Sequence, residues 1–283
     1  MAVIIDGKET AQAVRGVLRG EIEKFTKEHG IAPGLAVVIV GDDPASQVYV
    51  RNKHKACADA GIYSEVHALP AETTQDELLC LVDKLNKDAK IHGILVQLPL
   101  PRHLDKDKVI LAIDPQKDVD AFHPQNVGKV LIGNFSFVPC TPAGVMELLK
   151  HYRIDPAGKH CVILGRSNIV GKPQAMLMLK ENATVTICHS QTENLSEITQ
   201  TADILVTAVG KVGFVTADMV KKDAVVIDVG INRDADGKLC GDVDFADVEP
   251  IASYITPVPG GVGPMTITML LQNTLTAAKE QMK

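Results

Sequence analysis

Short apolar runs and amphipathic stretches alternate along nearly the whole chain. Leu35-Ala36-Val37-Val38-Ile39-Val40 contains no polar position, the pattern of a strand covered on both faces. Apolar runs of the same kind occupy 93–96, 161–164, 184–187, 204–208 and 224–229. Between them, 9–28, 45–60, 74–86, 105–113 and 195–202 carry apolar residues at helical spacing. Strand and helix in regular alternation predict parallel sheets flanked by helices, an α/β architecture.

The alternation lapses between about 114 and 142, where Pro115, Pro124, Pro139, Pro142, Gly128 and Gly133 interrupt any period. The pattern predicts a linker there, then a helix over 143–152 and a second α/β region ending near Asp247. A last helix over 266–279 follows the proline-rich stretch 257–264. At 283 residues the chain is long enough for two separate cores. The expected division is an N-terminal domain of 1–139, to which the final segment 265–283 returns, and a second domain of 140–264.

Composition narrows the function. A net charge of −6 argues against general nucleic-acid binding, which needs basic surface. No apolar run has the length to span a bilayer, and Met1-Ala2-Val3-Ile4-Ile5-Asp6 has neither the basic nor the long apolar region of a signal peptide. A soluble, cytoplasmic protein is expected. The six cysteines are scattered without a C-x-x-C pair, and Cys80, Cys161 and Cys188 lie among apolar residues as small hydrophobes. The nine histidines lack ligand spacing, so no metal site is expected.

The second half carries the strongest local motif. The apolar run Cys161-Val162-Ile163-Leu164 meets the turn Gly165-Arg166-Ser167-Asn168-Ile169-Val170-Gly171, and 172–180 reads as a helix. Strand, glycine turn and helix start aim free N–H groups and the positive helix end at a phosphate. The next strand ends in Cys188-His189-Ser190 with no acidic residue. A carboxylate there would bind ribose hydroxyls and repel a ribose 2′-phosphate, so its absence, with Arg166 nearby, favours NADP over NAD. The plainer alternative is that Arg166 sits on a solvated turn and His189 packs at a strand end. A later strand and glycine, Val226-Ile227-Asp228-Val229-Gly230-Ile231, put Ile231 on the cofactor side, with Asp228 satisfying local backbone groups.

In the first half, Asp43-Pro44 forms a helix start, Asp43 as cap and Pro44 at the first position. Tyr49 and Lys53, four apart, share a face of that helix. An aromatic ring beside an amine suits a catalytic pair, and equally describes a half-buried tyrosine beside a solvated lysine. Gln97 ends a buried strand, where its amide needs partners, from loop backbone or from a catalytic group. Asp118 stands among several acids of a loop.

Taken together these residues resemble the bifunctional methylenetetrahydrofolate dehydrogenase/cyclohydrolase family over essentially the whole chain. The carriers are Asp43-Pro44-Ala45-Ser46-Gln47-Val48-Tyr49-Val50-Arg51-Asn52-Lys53 and Gly93-Ile94-Leu95-Val96-Gln97-Leu98-Pro99-Leu100-Pro101. Lys117-Asp118-Val119-Asp120-Ala121-Phe122-His123-Pro124, Pro139-Cys140-Thr141-Pro142, the glycine turn and Thr256-Pro257-Val258-Pro259-Gly260-Gly261-Val262-Gly263-Pro264-Met265-Thr266 complete the set. Ala121 departs from it, standing where many members have glycine. The resemblance implies an N-terminal α/β catalytic domain, a Rossmann-like doubly wound NADP-binding domain and an active site in the cleft between them. It implies NADP-dependent oxidation of 5,10-methylenetetrahydrofolate to the methenyl form, then hydrolysis to 10-formyltetrahydrofolate. Lys53 takes the position of the catalytic lysine, Tyr49 that of the substrate-stacking ring, Gln97 that of the lysine's partner and Asp118 that of the pterin-binding carboxylate. Val50, Arg51, Asn52, Val96, Leu98 and the loop 257–265 fall at substrate positions. Gly165, Arg166, Ser167, Ser190 and Ile231 fall at cofactor positions. The family is typically a homodimer. Another two-domain NADP-dependent dehydrogenase, of shikimate type, would show a similar glycine-turn half, and a catalytically silent nucleotide-binding protein is the third reading.

Overall fold

The computed structural model describes residues 1–283, except Ala45, which lies outside the described residues along with its place in the Asp43 motif. The chain begins with β1 (Val3–Ile4), α1 (Gly7–His29), β2 (Gly34–Val40), α2 (Pro44–Ala60), β3 (Tyr63–Leu69), α3 (Gln75–Lys87) and β4 (Gly93–Val96). It continues through α4 (Lys106–Ala112), α5 (Pro124–Leu131), α6 (Cys140–His151), β5 (His160–Leu164), α7 (Gly171–Lys180), β6 (Thr184–Cys188) and α8 (Leu195–Thr199). The last elements are β7 (Ile204–Thr207), β8 (Val225–Asp228), β9 (Asn232–Arg233), β10 (Leu239–Cys240), α9 (Phe245–Val248), β11 (Tyr254–Ile255) and α10 (Val262–Gln281). Two compact units result, one of Met1–Ala13 with Thr141–Thr266, the other of Val14–Cys140 with Ile267–Lys283. Among the described residues, no helix is long and apolar enough to cross a membrane.

In the unit of Val14–Cys140 and Ile267–Lys283, β2 is the central strand of a parallel sheet ordered β3-β2-β4. Every residue of β2 is buried. Ala36, Val38 and Val40 pack with Leu78, Val82 and Leu85 of α3 and Val109 of α4. α2 begins as its sequence predicts: Asp43 Oδ2 accepts the Ser46 amide at 2.7 Å, and Pro44 occupies the first turn. α3 carries a capping box between Thr74 and Glu77. β3 escapes the apolar-run pattern because it is an edge strand with a mixed, largely solvent-facing sequence. α5 lies inside the stretch expected to be a linker, started by His123 and Pro124. Cys80, expected among apolar residues, is exposed; its apolar neighbours in sequence point elsewhere on α3.

The unit of Met1–Ala13 and Thr141–Thr266 holds a parallel sheet ordered β1-β11-β8-β7-β5-β6, with β9 and β10 as a separate antiparallel pair. Its core gathers Val162, Leu164, Leu205, Val226 and Ile255 from the strands with Val248 and Met219. The order steps from β5 outward to β6 and back through β7 and β8, the doubly wound arrangement whose ligands collect at the carboxyl ends of the strands. The first residues, expected with the N-terminal domain, contribute β1, which pairs with β11.

The C-terminal helix is tied down by a buried amide. Asn273 Nδ2 donates to the carbonyls of Val119 at 2.8 Å and Val138 at 2.9 Å. An Asn273→Ala variant leaves the Val138 carbonyl without this donor and the Val119 carbonyl with only the weak Cys140 thiol bond at 3.6 Å, at a cost of about 1–3 kcal/mol in a urea unfolding experiment. A change below about half a kcal/mol would show that water replaces the amide.

Candidate active site

Lys53 lies on α2 four residues after Tyr49, one turn below it on the same side. Tyr49 is exposed and Lys53 half-buried. The Lys53 Nζ donates to Gln97 Oε1 at 2.9 Å. Gln97 follows β4; its own amide donates to the Val38 carbonyl at 2.8 Å, and its Nε2 to the Leu98 carbonyl at 2.7 Å. The glutamine is thus fixed at both ends, and its only spare function is to hold the amine. Arg51 and Asn52 are exposed, Val96 is buried, and Leu98 is half-buried after β4. Val50 is a core residue, so its side chain packs inside the unit.

The two acids of the Lys117-Asp118-Val119-Asp120 run have different fates. Asp118 Oδ2 accepts the His123 amide and Asn126 Nδ2, each at 2.8 Å, and Oδ1 accepts the Phe122 amide at 3.2 Å. Burial raises its carboxyl above the usual range, against those three hydrogen bonds. Asp118 is therefore buried, with both oxygens engaged in building the entry to α5. Asp120 accepts only a weak bond, from the Cys140 thiol at 3.7 Å, and its other oxygen has no protein donor among the described residues. Burial pushes the Asp120 carboxyl up to about 6, opposed by the Lys53 cation, with Asp118 adding to the rise. The sequence reading did not single out Asp120; its signal was a second acid two residues after Asp118. Ala121 holds the next position at φ 57°, the left-handed region where glycine is the natural residue, so its methyl is strained by about 1 kcal/mol.

The glycine turn is packed against its own sheet. A Cβ on Gly165, at φ 121°, would fall on the Ala208 carbonyl, and one on Gly171 would fall on the Gly165 carbonyl. Ser167 Oγ accepts the Val170 and Gly171 amides at 3.1 and 3.4 Å, capping α7. The Arg166 and Ser167 amides donate to no protein atom among the described residues. They stand beside a cavity of about 250 Å³ lined by Gly165, Arg166, His189, Ser190, Lys211 and Phe214. Lys211, also unforeseen, sits 5.2 Å over the Phe214 ring and gives the cavity a second cation; its clue was a lysine just beyond the glycine that follows β7. Free amides, two cations and no lining carboxylate fit a phosphate-bearing nucleotide. Ile231 is exposed after β8, outside the residues lining this cavity.

The loop 257–265 begins after β11 and runs into α10. Gly261 turns tightly, its amide bonded to the Pro257 carbonyl at 2.8 Å, and the Gly7 amide donates to the Gly260 carbonyl at 2.9 Å. Pro257, Val258, Gly260, Gly263 and Pro264 are half-buried and Pro259 is exposed. Val262 and Met265 are core residues, the latter packed against Gly144, so their side chains do not face an opening.

Comparison with known proteins places this geometry. Residues 5–120 match the catalytic-domain model of tetrahydrofolate dehydrogenase/cyclohydrolase, and residues 139–282 match its NAD(P)-binding domain. The chain belongs to the tetrahydrofolate dehydrogenase/cyclohydrolase family. Within that family it is 61% identical to the bifunctional protein FolD of Magnetococcus marinus over 279 residues, covering 99% of this chain and 98% of the relative. It is similar to the crystal structure of the bifunctional FolD dehydrogenase/cyclohydrolase of Campylobacter jejuni, with TM-score 0.96, 52% identity and coverage of 99% and 100%. It is similar also to the Trypanosoma brucei enzyme complexed with NADP cofactor and inhibitor, with TM-score 0.95, 43% identity and coverage of 100% and 99%. Shikimate 5-dehydrogenase of Thermus thermophilus, at 14% identity and TM-score 0.54 over 87% of this chain and 99% of its own, shares the fold alone. The shikimate-type alternative is therefore not favoured.

The two acids of the family's catalytic domain are separable by experiment. Asp118→Ala strands three donors and lowers stability by about 1–3 kcal/mol. Asp120→Asn has the opposite sign. A carboxyl raised to about 6 when folded binds its proton more tightly than in the unfolded chain, so its stabilising effect is present at low pH and lost as pH rises through 6. Removing the charge raises the melting temperature at pH 8, and the gain fades as pH falls toward 4. A variant less stable than the parent at pH 8 contradicts this account of Asp120.

Proposed function

We propose that this protein catalyses two consecutive steps on one-carbon tetrahydrofolates. 5,10-Methylenetetrahydrofolate is oxidised to the 5,10-methenyl form with NADP, and water converts the methenyl form to 10-formyltetrahydrofolate. The observation that carries the reading is the 2.9 Å bond from Lys53 to an anchored Gln97 in a chain of this family. NADP, when bound, accepts the hydride that oxidises the one-carbon unit.

The chain's own residues do the rest. In hydrolysis, water adds to the methenyl carbon and the bond from that carbon to N5 breaks. Lys53 Nζ takes one proton from the attacking water and passes it to N5, and the second water proton is released to solvent as the carbinol becomes the formyl group and the methenyl charge is lost. Positioned proton transfer of this kind contributes about 10²–10⁴ in rate. Gln97 is neutral, so it orients the amine without pinning a proton on it as a carboxylate would. The Tyr49 ring offers a flat face for stacking the substrate. We assign to Asp120, rather than Asp118, the two parallel hydrogen bonds from adjacent pterin N–H groups, because its oxygens are not consumed by the fold. The loop 257–265 keeps the folate-lining place that the resemblance implies, contributing backbone at Val262 and Met265. Gly165, Arg166, Ser167 and Ser190 hold the nucleotide, with Ile231 toward its nicotinamide end. Lys53, Gln97 and Asp120 belong to the unit of Val14–Cys140 with Ile267–Lys283, and the nucleotide residues and the loop 257–265 to that of Met1–Ala13 with Thr141–Thr266. A cytoplasmic homodimer is the assembly and setting inferred, the free thiols suiting a reducing compartment.

Two measurements test this. Lys53→Met abolishes hydrolysis, followed as decay of the methenyl absorbance, while NADP binding stays intact; parental hydrolysis in that variant refutes the lysine's role. Replacing Arg166 and Ser190 with alanine raises the KM for NADP about ten- to hundredfold and leaves that for NAD nearly unchanged. Equal effects on both nucleotides would remove the 2′-phosphate assignment.

A further inference from the structure

Two buried carboxylates in the nucleotide-binding unit take no part in the chemistry above. Asp242 is fully buried. Its oxygens accept the three consecutive amides of Val209 at 2.6 Å, Gly210 at 3.2 Å and Lys211 at 2.9 Å. A fourth donor, Asn232 Nδ2, reaches it at 2.8 Å. Successive amides converging on one anion form a concave nest, here filled by the protein's own side chain. The segment so held follows β7, and Val209 and Lys211 line the nucleotide cavity.

Asp228, at the end of β8, fixes the fixer. Its Oδ1 accepts the Asp242 amide at 3.0 Å and the Gly230 amide at 2.8 Å, and its Oδ2 accepts the Val243 amide at 2.9 Å. Glycine is required at two closures: a Cβ on Gly241 would fall on Asp228 Oδ2, and one on Gly230 on Asp242 Oδ1. Burial pushes Asp228 up to about 6, with the Asp242 charge contributing, so holding two acids this close is a standing cost. A hydrophobic pair would close the sheet end at lower cost, but it could not hold three amides of a loop in one conformation.

We propose that Asp242, held by Asp228, is a positioning residue for the nucleotide: it sets the backbone of 209–211 and the start of β9, and so the shape and cationic lining of the NADP cavity. The inference rests on the functional reading above, and it separates the two activities. Oxidation needs a correctly shaped nucleotide cavity, whereas hydrolysis of the methenyl form needs only the folate groups.

The test compares Asp242→Asn and Asp242→Ala with the parent, in both assays. The parent must first reduce NADP with 5,10-methylenetetrahydrofolate; failure there defeats the functional reading itself. Given that activity, Asp242→Ala raises the KM for NADP at least tenfold. Asp242→Asn, which keeps one acceptor oxygen, falls between it and the parent. Methenyl hydrolysis and the KM for the folate stay within twofold in both, and amide hydrogen exchange at 209–211 quickens. Parallel loss of both activities, or an unchanged KM for NADP, overturns the proposal. If the alanine variant does not fold by circular dichroism, the asparagine variant decides on the same readouts.

Discussion

Parallel sheets buried on both faces leave polar groups only one useful place, the carboxyl ends of their strands, and every such group there must find donors or acceptors. β2, β4, β7 and β8 are buried along their length, and β5 from Cys161 onward. Gln97 follows β4, Asp228 ends β8, and the free amides of Arg166 and Ser167 follow β5. An unpaired buried acceptor costs about 1–3 kcal/mol, so each group is either absorbed by neighbouring backbone or kept for a ligand. That accounting separates acids engaged by the fold from acids left open to a ligand more sharply than residue type does. Asp118, Asp228 and Asp242 accept three or four hydrogen bonds each from the protein. Asp120 accepts one weak bond and keeps its remaining capacity.

The same accounting explains the character of the lysine. A carboxylate partner would stabilise the ammonium form and blunt Lys53 as a proton acceptor. Gln97 accepts its hydrogen bond with no net charge, and Gln97 is itself immobilised through both its backbone amide and its side-chain nitrogen. Orientation is obtained without electrostatic trapping. Asp120 lies near enough to feel the cation, yet burial outweighs that attraction and leaves its carboxyl raised. The amine and the acid are thus neighbours without being a committed ion pair, which leaves each available to a ligand.

How much of this was readable in the chain depended on how strongly each residue's neighbours constrained it. The fully apolar strands were legible because a strand covered on both faces admits no polar position. β3 was not, since an edge strand meets solvent and loses the apolar run. α5 was hidden by its flanking proline and glycines, although Pro124 in its first turn is a helix-starting signal. The Lys53 and Gln97 pair needed a family resemblance, because a basic helix surface and a strand-end amide are each unremarkable alone. The difference between Asp118 and Asp120 was not visible in the pattern. It turned on which oxygens the amides of Phe122 and His123 reach, a matter of turn geometry two to five residues downstream.

Ala121 shows how far this turn is over-determined. The residue is fully buried at φ 57°, where an L side chain costs about 1 kcal/mol, yet the turn keeps its shape without glycine. The restraint comes from both sides. The Ala121 amide donates to the Asp118 carbonyl at 3.0 Å, and the Asp118 carboxylate pulls in the next two amides. Asn273 clamps the preceding carbonyl of Val119. Four hydrogen bonds of ordinary strength are together worth a few kcal/mol, more than the strain of one misplaced methyl. Asp120 is thereby held against a fixed backbone rather than on a mobile loop, and the two parallel hydrogen bonds proposed for it would need that rigidity, since small rotations of the carboxyl plane would break one bond of the pair.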